Sequence, residues 1–201
     1  MAFRYPSTRD QKLIKIVDAA LAETTRKSGP RLGCHPGCTP CCIGVFAINQ
    51  LDALRLERGL VKLQQGDPKR AAAIRERARD SVARLSADFP GDPRTGILDE
   101  DAPERFETFA NDEPCPVLDP KTGLCELYES RPMTCRVFGP PVRSEEGLGI
   151  CELCFQGASE EEIAACEMIP DPHGLESRLM DKVEKASGRH GESIIAFCLA
   201  T

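Results

Sequence analysis

The segment GCHPGCTPCC (residues 33–42) places four of the 11 cysteines of this chain within nine residues. Glycine and proline recur through the segment, which predicts a loop rather than a helix or a strand. Thiols at this density serve as disulfide bridges, redox catalysts or metal ligands. The rest of the sequence has to decide among these three roles.

The composition limits the size of the protein and the class of its partners. A chain of 201 residues predicts a single domain over residues 1–201. Hydrophobic residues make up 41% of the chain and tryptophan is absent, so the core must come mostly from aliphatic side chains. The net charge of −6 argues against a nucleic-acid partner, because phosphate binding needs a surplus of Lys and Arg.

The expected compartment favours metal ligation over disulfide bonds. Residues 1–20 contain no continuous apolar stretch of the signal-peptide type, and no run approaches the length that spans a membrane. We therefore expect a cytoplasmic protein with no membrane association. Clustered cysteines in a reducing compartment are more often metal-binding or catalytic than structural, and an odd number of them does not close a disulfide framework. Metal or iron–sulfur ligation is the leading interpretation, followed by redox thiols and then by disulfides.

Helical patterns flank the cysteine region on both sides. Leu13, Val17 and Leu21 recur at helical spacing and predict a helix over residues 7–27. Asp67 and Pro68 predict the start of a long helix to about residue 88, whose arginines are interpreted as a solvated face. A capping-box pattern at Ser159 opens a further helical region, residues 159–200. The sequence thus predicts a mainly α fold: a small helical domain with cysteine-rich loops and a short β-hairpin around a metal centre.

A second group of cysteines begins in the segment CPVLDPKTGLCELYESRPMTCRVFGPP (residues 115–141). Its DPKTG stretch predicts a five-residue hairpin turn, with Leu118 facing Leu124. That register places Cys115 diagonal to Cys125 at a Cα separation of about 7–8 Å, which suits two thiolates that grip one cluster. Pro132 is expected to end a helical turn and to deliver Cys135 into the following loop. The segment CELC (residues 151–154) adds a Cys-x2-Cys pair.

The predicted metal ligands are the nine cysteines of the two groups. They are Cys34, Cys38, Cys41, Cys42, Cys115, Cys125, Cys135, Cys151 and Cys154. Four thiolates satisfy one zinc or iron–sulfur centre, so one centre that spans both groups is preferred and two centres remain an alternative. Arg131 and Arg136 are the predicted compensating charges, although pairing of Arg131 with Glu129 is an equal alternative.

The other candidate residues receive structural interpretations. Cys166 and Cys198 are expected to pack in the core as buried free thiols. His35 lies inside the first cysteine group and is able to substitute for a thiol, whereas His173 and His190 are expected at the surface. Tyr128 is expected to pack against the cysteine loop.

The two cysteine segments together resemble a known family. CHPGCTPCC followed by CPVL, GLCELYESRP and TCRVF is similar to the CxxCxxCC family of zinc- or iron-chelating domains, the YkgJ type, over residues 34–154. Cys38, Cys41 and Cys42 match the motif, whereas Cys34 is separated from Cys38 by three residues instead of two. The resemblance implies a metal or iron–sulfur centre. The family includes flagellin lysine N-methylases with an iron–sulfur centre, and nothing outside the motif carries that activity over to this chain.

These observations leave three functions open. The first is a metal-binding protein with an iron–sulfur cluster, [4Fe–4S] in preference to zinc, and with a redox role as an option. The second is a zinc-stabilised protein-interaction module without catalysis, and the third is an iron–sulfur-dependent enzyme that modifies proteins. The spacing Cys34-x3-Cys38-x2-Cys41 also equals the radical S-adenosylmethionine signature, but the chain lacks the repeated strand–helix alternation of those barrels.

Overall fold

A computed structural model describes residues 7–101, 103–144 and 147–200. Helices dominate these ranges, and the sheets found there are two antiparallel pairs of short strands, which confirms the mainly α fold class. The helices are α1 (Ser7–Ser28), α2 (Gln50–Gly66), α3 (Pro68–Leu85), α4 (Pro103–Glu107), α5 (Met133–Val137), α6 (Glu160–Ala164), α7 (Leu175–Ser187) and α8 (Ile195–Leu199). The strands are β1 (Gly91–Asp92), β2 (Ile97–Leu98), β3 (Val142–Ser144) and β4 (Gly147–Gly149). No helix in the described part of the chain is long and apolar enough to cross a membrane.

The described residues fall into two compact units. The first unit comprises those of 1–36 and 134–186, and the second unit those of 37–133 and 187–201. Each unit contains cysteines from both groups of the sequence. Cys34, Cys135, Cys151, Cys154 and Cys166 belong to the first unit, and Cys38, Cys41, Cys42, Cys115, Cys125 and Cys198 to the second.

The second unit is built on the packing of α2, α3 and α8. Its helices start where the sequence supplies caps: the Asn49 side chain accepts from the Asp52 N–H at 2.9 Å, and Asp67 accepts from the Arg70 N–H at 3.1 Å. An aromatic cluster closes one part of this core. The Phe89 ring lies edge-on to Phe109 at 5.8 Å and tilted against Phe197 at 4.5 Å. The predicted aliphatic core is therefore supplemented by phenylalanines from three separate segments.

The first unit joins α1 to the segments that follow residue 134. Leu13 and Val17 are fully buried on α1, as their spacing predicted. Ser159 and Glu162 form the predicted capping box at the start of α6, with hydrogen bonds of 2.8 and 3.3 Å. Thr24 of α1 donates to the Cys166 carbonyl at 3.1 Å, which ties α1 to the end of α6. Cys166 itself is buried beside Cys154 and Phe155, as expected of a packing thiol.

A buried ion pair lies at the start of α2 in the second unit. The side chains of Asp52 and Arg55, on the first turns of α2, are 3% and 4% exposed and bind each other. Asp52 Oδ1 also accepts from the Met133 N–H at 3.0 Å. The carboxylate therefore connects α2 to the second cysteine segment, two residues before Cys135.

We expect Asp52→Ala to destabilise the protein by about 3–5 kcal/mol, because a buried guanidinium would lose the carboxylate that neutralises it. Asp52→Asn keeps an acceptor for the Met133 N–H and should retain more of the stability. Urea unfolding followed by far-ultraviolet circular dichroism measures both variants. A midpoint for Asp52→Ala equal to that of the wild type would contradict the assignment.

Candidate metal centre

The first cysteine segment is held against the second by backbone pairing inside the second unit. Pro40–Cys42 forms a 3-10 turn, in which the Cys42 N–H donates to the Thr39 carbonyl at 2.7 Å. Beyond this turn, Ile43 forms an antiparallel bridge with Pro114, and the Cys115 N–H donates to the Cys42 carbonyl at 2.8 Å. Residues 71 and 73 positions apart in sequence are thereby placed side by side, whereas the sequence linked the two segments only through their shared cysteine content.

A glycine permits this pairing to continue. The Gly44 N–H donates to the Glu113 carbonyl at 2.8 Å, and Gly44 has a φ of +95°. A Cβ at this position would lie 3.2 Å from the Asn111 carbonyl oxygen. Both the conformation and the space favour glycine here.

The predicted hairpin turn forms, but the predicted register is wrong by one residue. Leu118 bridges Cys125 instead of facing Leu124, and this contact is an isolated bridge rather than a pair of strands. The Asp119 side chain accepts from the Lys121 N–H at 3.0 Å and the Thr122 hydroxyl at 2.7 Å, and the Asp119 N–H pairs with the Leu124 carbonyl at 2.9 Å. Asp119 thus closes the loop as a paired residue, which shortens the loop and shifts the register.

Cys115 and Cys125 remain neighbours despite this shift. The Cys125 thiolate opposes ionisation of the Cys115 thiol and so helps to raise its pKa, and Cys41 has the same effect on the pKa of Cys125. Burial raises the pKa of the Cys115 thiol to about 11, while the N–H groups of Val117 and Leu118 favour its thiolate. Burial also raises the pKa of Cys125, against the opposing effects of the Leu127 N–H and the Arg131 guanidinium.

The vicinal pair completes this set of thiols. The pKa of the Cys41 thiol is raised, first by its hydrogen bond with the Cys42 side chain and then by burial. We call Cys41, Cys42, Cys115 and Cys125 the second-unit thiols. Because thiols with raised pKa values are protonated at neutral pH, a metal must displace protons from them, and its affinity should rise with pH.

A separate set of thiols lies in the first unit: Cys34, Cys151 and Cys154, here called the first-unit thiols. The Cys154 N–H donates to the Cys151 carbonyl at 2.8 Å, which forms a tight turn across the Cys-x2-Cys pair. Burial raises the pKa of the Cys154 thiol, which is 5% exposed, while the N–H groups of Gly33 and Cys34 favour its thiolate. The Cys151 side chain also hydrogen-bonds to this sulfur.

Two glycines leave room for the first-unit thiols. A Cβ on Gly33 would lie 2.6 Å from the Leu153 carbonyl oxygen. The absence of a side chain at Gly33 therefore allows the backbone of the first cysteine segment to lie close to the Cys-x2-Cys turn. Gly139, with a φ of +127°, faces Cys34, and a Cβ there would lie 3.5 Å from Cys34 Sγ. Gly139 also accepts the Cys151 N–H at 3.2 Å through its carbonyl. Sequence reasoning missed both glycines, whose role depends on segments far apart in the chain.

The remaining predicted site residues are Cys135, Arg131, Arg136, Tyr128 and the three histidines. A 3-10 turn at Tyr128–Ser130 ends before Pro132, as predicted, but Cys135 then lies on α5, which begins at Met133, and not in a loop. Arg136 is buried and binds Asp18 of α1 at 2.6 Å, so this carboxylate engages the charge that we assigned to the thiols. The Arg131 guanidinium stacks on the Tyr128 ring at 3.7 Å, and its Nη1 donates to the Tyr128 carbonyl at 2.8 Å. Tyr128 itself is half-exposed. His35, His173 and His190 are exposed.

The donor chemistry of both thiol sets fits a thiophilic metal. Over the ranges that the structure describes, no three Cys, His, Asp or Glu side chains are already arranged to hold a metal ion. The fit consists of soft sulfur donors, backbone N–H groups directed at them and partial burial. The metal therefore does not enter a preformed site, and its binding requires the thiol side chains to rotate toward a common point.

Comparison with known families supports the same chemistry. A family model described as "CxxCxxCC: Putative zinc- or iron-chelating domain" matches residues 33–155, more than half of the chain. The chain belongs to the CxxCxxCC family. The match begins at Gly33 and ends at Phe155, so it includes all nine cysteines predicted as ligands and excludes Cys166 and Cys198. No curated protein and no solved structure matches the chain significantly, so the predicted likeness to flagellin methylases is not supported.

Outside the family match, Cys198 is a packing thiol whose ionisation opposes folding. It is 6% exposed, and burial raises the pKa of its thiol to about 11. A raised folded pKa means that the stabilising contribution is complete below the unfolded pKa, near 9, and is lost as pH rises toward 11. The unfolding free energy of the wild type, measured relative to that of Cys198→Ala, should therefore fall by roughly 1–3 kcal/mol between pH 9 and pH 11.

Urea unfolding of both proteins at several alkaline pH values measures this difference. The comparison with the alanine variant removes the effects of the other cysteines, which are common to both proteins. A constant difference between pH 9 and pH 11 would show that Cys198 does not titrate as a buried thiol.

Proposed function

We propose that this protein of the CxxCxxCC family is an iron–sulfur protein whose principal centre is held by the second-unit thiols. Four sulfur donors satisfy a [4Fe–4S] cluster, and Cys41, Cys42, Cys115 and Cys125 supply that number. The observation that supports the proposal most is the backbone pairing that places the vicinal cysteines beside Cys115, with the Cys115 N–H to Cys42 carbonyl bond at 2.8 Å.

The vicinal pair favours a cluster over a single ion. The Cys41 and Cys42 side chains hydrogen-bond to each other in the metal-free protein, but the short backbone link between adjacent residues makes it difficult for both to take tetrahedral positions around one zinc ion. A cluster has several iron atoms with ligand positions that face different directions, and it therefore accommodates neighbouring cysteines more readily. The cluster would supply one-electron redox chemistry when bound.

The surrounding residues are suited to tuning such a centre. The N–H groups of Val117, Leu118 and Leu127 are directed at the sulfurs of Cys115 and Cys125. Hydrogen bonds to cluster sulfurs and restricted solvent access are two means by which proteins set a reduction potential. Arg131 adds a positive charge close to Cys125. These features support a redox role for the centre.

A zinc-stabilised interaction module is the second candidate, and exposed apolar side chains favour it. Ile43 follows Cys42 and is 42% exposed, Leu124 precedes Cys125 and is 48% exposed, and Tyr128 is 56% exposed. Large apolar side chains exposed next to the thiols are typical of a surface that binds another protein. In this reading the metal stabilises the loops and performs no chemistry.

Anaerobic purification with analysis of iron, zinc and acid-labile sulfide distinguishes the two candidates. We expect iron and sulfide together with broad visible absorption that bleaches on reduction. Colourless protein with stoichiometric zinc would replace the cluster by the interaction module. Protein that neither retains nor takes up metal under these conditions would contradict both.

The first-unit thiols form a proposed second site that does not depend on the principal centre. Cys151 and Cys154 already touch through a side-chain hydrogen bond, and the Cys34 N–H is directed at Cys154. Three thiolates with a fourth ligand are sufficient for one zinc ion. We propose Cys135, which is half-buried on α5 of the same unit, as the fourth ligand.

Paired substitutions test whether the two sets bind metal separately. Cys115→Ser with Cys125→Ser should remove the metal of the principal centre only, and Cys151→Ser with Cys154→Ser that of the second site only. The matched controls are Cys166→Ser and Cys198→Ser, which should keep the wild-type metal content because these thiols are packing residues. Complete metal loss from either pair alone would indicate one shared centre instead of two.

A further inference from the structure

Three arginines follow one face of α3 at intervals of seven residues. We call Arg70, Arg77 and Arg84 the arginine row. Seven residues are close to two turns of an α-helix, so the three side chains emerge on the same side. Sequence analysis interpreted these arginines as part of a solvated face, and the structure assigns them specific partners instead.

The first two arginines of the row bind one carboxylate. Arg70 Nε donates to Glu126 Oε1 at 3.0 Å, and Arg77 Nη2 donates to Glu126 Oε2. The Glu126 side chain is only 7% exposed, so its charge is withdrawn from water and depends on these partners. Glu126 directly follows Cys125 in the chain. The two arginines therefore restrain the backbone that carries the Cys125 thiol.

Arg77 also reaches the other cysteine. Its Nε donates to the Pro116 carbonyl at 2.8 Å, while its Nη2 binds Glu126. Pro116 directly follows Cys115. One guanidinium thus connects the residues next to Cys115 and Cys125, which only a planar fork with several donors is able to do. The positive charge of Arg77 also favours the thiolate form of Cys115.

The third arginine, Arg84, binds the chain two residues before Cys115. Arg84 Nη2 binds Glu113 Oε1 at 2.6 Å, and the Glu113 side chain is 11% exposed. The carbonyl of Glu113 accepts the Gly44 N–H, so this residue belongs to the pairing that joins the two cysteine segments. The row therefore contacts the segment at residue 113 and again at residues 116 and 126, on both sides of the ligand positions.

These contacts disfavour a nucleic-acid role for the basic face. Two carboxylates, Glu126 and Glu113, engage all three guanidinium groups of the row, and both are largely withdrawn from solvent. A phosphate-binding row would have to break these ion pairs and leave Glu126 and Glu113 without their cations. The arginine row instead binds groups of the segment 113–126, which carries Cys115 and Cys125.

We propose that Arg77, supported by Arg70 and Arg84, is the positioning residue that holds Cys115 and Cys125 at the spacing required by the metal centre. This inference rests on the proposed metal-binding function. It adds residues of α3 that lie outside both cysteine segments. Partners that orient metal ligands from outside the coordination shell affect metal affinity strongly, and their loss typically costs about 10–100-fold.

The test measures the rate at which the full-length, metal-loaded protein loses metal to a chelator at a temperature well below its melting transition. Arg77→Gln should release the metal of the principal centre about 10–100-fold faster than the wild type. Arg77→Lys should lie between them, because a single ammonium keeps the charge but does not hold the Pro116 carbonyl and Glu126 together. Arg79→Gln, an exposed arginine of the same helix, is the matched control and should match the wild type.

Amide hydrogen exchange supplies a second measurement that does not require metal. In metal-free protein, Arg77→Gln should increase exchange within residues 113–126 while α2 and α8 keep their protection. Uniformly faster exchange, with metal release that follows global unfolding, would reduce Arg77 to a general stabilising residue and overturn the proposal. Unchanged exchange in the segment would also overturn it. A wild-type protein without metal would refute the proposed function, while the exchange result would still decide whether Arg77 positions the segment.

Discussion

The arrangement of the second unit depends on a few backbone hydrogen bonds between two distant segments. The Cys115 N–H to Cys42 carbonyl bond, the Ile43–Pro114 bridge and the Gly44 N–H to Glu113 carbonyl bond join the loop of the first cysteines to the turn of the second. Without this pairing, the vicinal cysteines and the Cys115–Cys125 pair would have no reason to be neighbours. The helices of the unit supply the support on which the pairing rests.

Charged groups hold that pairing in place from one side. The arginine row of α3 binds Glu113 and Glu126, and Arg77 adds the Pro116 carbonyl. On α2, Asp52 binds Arg55 and accepts the Met133 N–H within the second segment. Loops that are rich in Gly and Pro have little regular structure of their own, so these polar contacts supply the restraint that a helix or sheet would otherwise provide.

The surroundings of the thiols differ between the two units. In the second unit, a neighbouring thiol opposes the ionisation of Cys41 and of Cys115, and ion pairs of the α3 arginines restrain the backbone beside Cys115 and Cys125. In the first unit, the Cys151–Cys154 turn is approached by bare backbone at Gly33, and Gly139 leaves space for Cys34. Membership of the CxxCxxCC family supports metal binding by the region as a whole. The contrast between the two sets is the physical basis for proposing that they form separate sites.

The sequence by itself determined the mainly α fold, the capped starts of α3 and α6 and the thiol-rich region, because these depend on local periodicity, local hydrogen bonds and donor chemistry. It failed at two local details: the hydrogen bonds of Asp119 shifted the predicted register, and Cys135 lies on a helix that begins directly after Pro132 instead of in a loop. Only the tertiary structure decided which thiols share a unit and which arginines act on them. Arg77, Gly33 and Gly139 have their roles because of residues far away in the chain, and no local pattern reports such contacts.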